Sequence, residues 1–199
     1  MSPDAHYDLS SLLLATFFIL EFFYYKKMIP VWLPVLFQVI CGVLLCGASL
    51  LENWTFAAFA LSSILGLSLA LASFPSLGCK SALLEKLFRF PIDNKLAFQL
   101  VSHYSVHALS EELFWRGAMT SLLGRSPFVI ILISALFSLA HIPKLTNSTS
   151  YFEMLTTSIV LHIFYLQSGS ILATSLLHAV RNIVLVLFAK DKHHGKTEK

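Results

Sequence analysis

The sequence predicts an all-α fold, a polytopic membrane bundle of about seven transmembrane helices, on three observations. Hydrophobic residues make up 56% of the 199 positions and charged residues only 13%, with a mean hydropathy of +0.74, a balance typical of integral membrane proteins rather than soluble domains. The apolar residues fall into runs near the ~20 residues that a helix needs to cross the hydrocarbon core. Those runs are continuous, whereas barrel strands would alternate over about 10 residues.

The runs cover residues 9–25, 30–51, 54–75, 96–123, 127–142, 151–167 and 170–189. The first begins beside Asp4 and Asp8 instead of a basic segment, and no small-residue cleavage site follows it. It therefore reads as a retained span rather than a signal peptide. Between the third and fourth runs, residues 81–90 place Leu83, Leu84, Leu87 and Phe88 at helical spacing with Lys86 and Arg89 elsewhere, the pattern of a basic helix lying in the membrane interface. The fifth and sixth runs are short, so one of them is expected to be tilted, broken or shielded within protein. Residues 191–199 read as a polar tail. The chain divides on this reading into accessory spans and the interfacial helix (1–95), a core (96–190) and the tail (191–199), all within one folded domain.

Charge orients the bundle. Lys26, Lys27, Lys80, Lys86, Arg89, Lys95, Lys144 and the lysines of the tail fall on one side, and Arg125 alone falls on the other. By the positive-inside rule the amino terminus is outside and the carboxyl terminus cytoplasmic. The basic residues are not interleaved with aromatics in a patch, so nucleic acid is not an expected partner. Cys41, Cys46 and Cys79 show neither a CxxC motif nor zinc-ligand spacing, and free thiols are expected.

The fourth run carries the costliest residues: Glu111, Glu112 and Arg116 within an apolar segment. Ionisable groups at such depth usually face a bundle interior and mark a functional site. Glu112 and Arg116 are four apart, acid first, and can pair along one face; Glu111 points about 100° away. One carboxylate is then neutralised in structure, and the other is left to act as a base. Phe137 and His141, and likewise His178 and Asn182, are each four apart and share a helix face. If residues 124–126 form the turn between the fourth and fifth runs, Glu111 and His141 both lie about 20 Å from it at 1.5 Å rise per residue. They meet at one depth on neighbouring antiparallel helices, with His178 and Asn182 able to reach the same cavity. His103 and His107 extend the stripe toward Glu111, as lining of an access path or as packing. His162 reads as a packing histidine, and Arg181 as a partner for a glutamate or a substrate carboxylate.

Taken together, Glu111-Glu112-x-x-x-Arg116, Phe137-x-x-x-His141 and His178-x-x-x-Asn182, in this order on successive spans, resemble the motifs of the CPBP intramembrane endopeptidases. That family, also called the Abi family, includes CAAX prenyl proteases of the Rce1 type. The resemblance covers about the last 105 residues; the first three spans carry no motif. It implies peptide-bond hydrolysis within the membrane by a water that Glu111 activates with help from His141. His178 and Asn182 would donate to the oxyanion, while Glu112, Arg116 and Phe137 would support the site. No cofactor is expected in this reading; zinc held by the glutamate and the two histidines is the alternative, disfavoured because no HExxH-like ligand pair is present. The expected partners are membrane lipid and a peptide or protein with a hydrophobic or lipidated segment. The expected location is a bacterial cytoplasmic membrane. The preferred substrate class is a peptide precursor, a sorting signal or a bacteriocin-related peptide. A non-catalytic immunity or scaffold protein, or a small transporter with the same fold, is the competing reading.

Overall fold

In a computed structural model, residues 3–46, 56–73, 94–141 and 148–189 are described. All of their regular structure is helical, and they form seven helices, the number expected. These are α1 (Pro3–Tyr25), α2 (Trp32–Cys46), α3 (Phe56–Ser73), α4, α5 (Pro127–Ala140), α6 (Ser148–Ser168) and α7 (Ile171–Ala189). Helix α4 runs as an α-helix over Asn94–Glu112, a π-helical segment over Leu113–Ala118 and a last α-helical turn over Met119–Leu123. The expected interfacial helix at 81–90, Lys144 and the tail lie outside the described residues. So does Cys79, whereas Cys41 is a buried free thiol.

Local chemistry sets the boundaries. Helix α4 stops at Gly124, whose φ of +94° suits glycine and few other residues. Its successor starts with Ser126 as N-cap, accepting from the Val129 N–H at 3.3 Å, and with Pro127 in the first turn, where the missing N–H costs nothing. Gly169, at φ +63°, closes α6 through an N–H bond to the Tyr165 carbonyl. The turn expected at 124–126 is therefore where the chain reverses. Of the short runs, the fifth gives a 14-residue helix and the sixth extends to 21 residues.

Helix α7 packs between α3 and α4, α2 covers the π-helical segment, and α5 lies on α6. Among the described residues, two glycines permit close approaches. A Cβ on Gly42 would stand 2.4 Å from the Leu113 Cβ, and one on Gly66 would stand 2.6 Å from the Leu177 carbonyl oxygen. Small residues at such crossings are how helices associate closely in lipid. The principal core gathers Phe17, Phe114, Trp115, Met119, Ile133 and Phe137, with Phe17 stacked on Phe114 at 4.9 Å between ring centroids. Large apolar side chains meanwhile face outward on helix after helix, among them Leu12, Leu44, Ile64, Phe98 and Phe128. A surface this apolar is a membrane signature. Among the described residues, α1 alone, over Asp8–Tyr25, is long and apolar enough to cross a bilayer unaided. The apolar stretches of α2, α3, α5 and α7 are 14 to 17 residues long, and α4 is made polar by its histidines and acids.

Candidate active site

Helix α4 places Glu111 and Glu112 at the junction where α-helix gives way to π-helix. Single π-helical turns shift the register of everything beyond them and recur at functional sites. The expected pairing of Glu112 with Arg116 survives the shift. Arg116 Nη1 donates to Glu112 Oε1 at 3.1 Å, and both side chains are fully buried. The same carboxylate oxygen receives the His178 Nδ1–H at 2.8 Å, a partner 66 residues away that no local spacing announces. Arg116 also donates through Nη2 to the backbone oxygen and the hydroxyl of Ser158, at 3.1 and 2.8 Å, and stacks over the Phe137 ring at 4.8 Å. One ion pair thus ties α4 to α5, α6 and α7.

Glu111 turns the other way, into a cavity of about 290 Å³ that it lines with His141, His178 and Asn182. Its Oε1 lies 3.6 Å from His141 Nε2, and its Oε2 lies 3.6 Å from His178 Nε2. Those separations exceed a hydrogen bond, and an oxygen about 2.8 Å from each member of a pair would bridge it. Glu111 and His141 keep 15% and 14% of their side-chain surface exposed, against 4% for His178, so the first two are reachable from the cavity. All seven residues singled out in the sequence therefore come together: Glu111, His141, His178 and Asn182 on the cavity wall, and Glu112, Arg116 and Phe137 beneath it.

The hydrogen bonds also fix what each imidazole can do. His141, the C-cap of α5, directs Nδ1 at the Phe137 carbonyl oxygen at 2.8 Å. A carbonyl only accepts, so Nδ1 carries the proton and Nε2 of the neutral ring is an acceptor. His178 donates from Nδ1 to a carboxylate and is in the same position. Either ring donates from Nε2 only as imidazolium. Two Nε2 lone pairs beside a carboxylate are the right chemistry for a divalent cation. Among the described residues, however, no three His, Cys, Asp or Glu side chains are assembled as a metal site.

Asn182 has its Oδ1 occupied by the Arg181 Nη1–H at 3.0 Å, which leaves its NH2 group as the donor. Arg181 in turn pairs with Glu153 of α6, so of the two roles open to it in the sequence it takes the glutamate. His103 and His107 line the cavity, their ring centroids 4.4 Å apart. His162 is buried, shares a 3.1 Å hydrogen bond with Thr120 and lies away from the cavity wall. Sequence reasoning missed the contribution of the first two helices: Glu21 and Tyr24 from α1 and Gln38 from α2 complete the cavity. Gln38 was visible as a lone amide in an apolar run.

No curated protein and no solved structure matches the chain significantly. The family model described as type II CAAX prenyl endopeptidase Rce1-like matches residues 93–184, a stretch from the start of α4 through the third motif. These are membrane-embedded proteases. Over that stretch, with its three motifs converging on one cavity, the chain is similar to the Rce1-like type II CAAX prenyl endopeptidase family.

Proposed function

We propose that the protein is a multi-pass intramembrane endopeptidase that hydrolyses a peptide bond of a membrane-associated peptide or protein by glutamate-activated water. The observation that carries this reading is the Glu111 carboxylate set 3.6 Å from the Nε2 atoms of both His141 and His178 in one cavity. A water seated there gives one proton to Glu111 and directs the other at His141 Nε2. Its oxygen adds to the substrate carbonyl carbon, and the developing oxyanion receives hydrogen bonds from the Asn182 NH2 group and from His178 as imidazolium. The proton held by Glu111 then passes to the leaving nitrogen as the C–N bond breaks, giving a carboxylic acid and an amine. Base assistance is worth about 10² to 10⁴ in rate and one oxyanion donor about 10² to 10³. Glu112 and Arg116 hold the helices around these groups.

The substrate class is a hydrophobic or lipidated peptide that enters from the membrane. The orientation that the positive-inside rule favours places the amino terminus outside and the carboxyl terminus in the cytoplasm of a bacterial inner membrane. Comparing the membrane peptidome of cells carrying the wild type with that of cells carrying Glu111→Gln tests the reading. Peptides that accumulate uncleaved only in the variant support it and name the substrate. A variant that inserts normally and leaves the peptidome unchanged overturns it. Metal dependence is tested on purified protein: activity should persist in chelator, whereas loss restored by stoichiometric zinc would reassign Glu111, His141 and His178 as ligands.

A further inference from the structure

We propose that Gln38, on α2, is a substrate-binding residue whose side-chain amide pairs with the backbone of an extended peptide lying beside Glu111. The inference rests on the endopeptidase reading and adds a residue from outside the family-matched stretch.

Helix α2 reads WLPVLFQVICGVLLC, with Gln38 its only amide side chain. A residue kept merely to face lipid or to fill the core would cost less as leucine, because burying an amide without a partner is unfavourable. The structure gives Gln38 no such partner. It is 3% exposed, and its Oε1 is enclosed without a hydrogen bond. Native proteins keep few such groups, and each calls for a reason. Here the reason is its position, since Gln38 lines the cavity that contains Glu111, His141, His178 and Asn182.

The chemistry of the occupant follows. A primary amide offers a donor and an acceptor side by side, the complement of one peptide unit. Its terminal torsion is soft, so the amide can turn toward the cavity without moving α2. A peptide bond must leave its helix to be cut, and an unwound segment in a low-dielectric site exposes N–H and C=O groups that water does not satisfy. Gln38 supplies one such pair of partners from a rigid helix, and this fixes the register of the substrate while leaving its side chains unread. Gln38 therefore acts in binding, and the chemical step stays with Glu111.

The test uses the full-length protein in lipid nanodiscs with two probes, a farnesylated CAAX-terminated peptide and an unprenylated hydrophobic peptide of about 20 residues, roughly one span. For the probe that is cut, a series of depsipeptides replaces one backbone N–H at a time, away from the scissile bond, by an ester oxygen. Gln38→Leu is expected to lower kcat/KM at least tenfold, mainly through KM, while its thermal midpoint stays level or rises because an unpaired amide has been removed. One depsipeptide should show the same loss in the wild type and no further loss in Gln38→Leu. A variant that cleaves like the wild type, or losses that simply add for every depsipeptide, overturns the assignment. So does a Gln38→Leu protein that melts lower than the wild type, since the amide would then be structural. Glu111→Gln separates the two readings: if it is inactive while Gln38→Leu is unaffected, only the backbone contact fails, whereas undiminished cleavage by Glu111→Gln removes the endopeptidase reading as well.

Discussion

Two adjacent carboxylates have opposite fates, and the difference lies in what surrounds each. Glu112 is fully buried and receives both Arg116 and His178 on one oxygen, whereas Glu111 keeps surface in the cavity. Removing one member of a buried ion pair strands the other charge and typically costs about 3–5 kcal/mol. Glu112→Gln is thus expected to lower stability severely, read by thermal unfolding in detergent, while Glu111→Gln should unfold near the wild-type temperature and lose turnover. A second prediction concerns Arg181, which occupies Asn182 Oδ1 and so presents the NH2 group. If it positions Asn182, Arg181→Met should lower kcat by an amount approaching the 10²–10³ of a lost oxyanion donor. Combining it with Asn182→Ala should then add little, which a double-mutant cycle on kcat would show.

Among the elements, α4 decides the site, because the π-helical turn after Glu112 sets how Trp115 and Arg116 meet the neighbouring helices. Helix α2 presses on that turn through Gly42. A methyl group there would stand 2.4 Å from the Leu113 Cβ, too close to exist without displacement. Gly42→Ala is expected to cost about 1–3 kcal/mol as an overpacked contact and to reduce turnover, since the displaced segment lies next to Glu111. Parallel measurements of melting temperature and kcat would check this. Gly66→Ala works against the Leu177 carbonyl of α7, and should perturb His178 by the same route. Most element boundaries were legible in the sequence, because Gly124, Ser126 and Pro127 are strong local signals and apolar run length is a direct count. The π-helical segment was not legible: the residues of 113–118 suit an ordinary α-helix, and what accommodates the extra residue is the packing of α2 and the Phe17, Phe114 and Trp115 rings.

At the scale of the whole molecule, the expected orientation rests on Lys26, Lys27 and Lys95 falling on the side opposite Arg125. A single cysteine at position 27, in a background without the native thiols, should be labelled by a membrane-impermeant reagent only after the inner face is opened. One at position 125 should be labelled from outside in intact cells, and the reverse pattern would invert the bundle. The sequence by itself determined the helical class, the number of helices and which residues of the candidate site share a helix face, because run length, charge placement and four-residue spacing are properties of a single helix. It also paired Glu112 with Arg116 and matched Glu111 to His141 in depth for that reason. Only the tertiary structure decided that Glu112 also holds His178, that Arg181 is bound to Glu153 and Asn182, and that α1 and α2 complete the cavity with Gln38 on its wall. Periodicity states which side chains share a face, but the direction in which that face turns is settled by all seven helices packing at once.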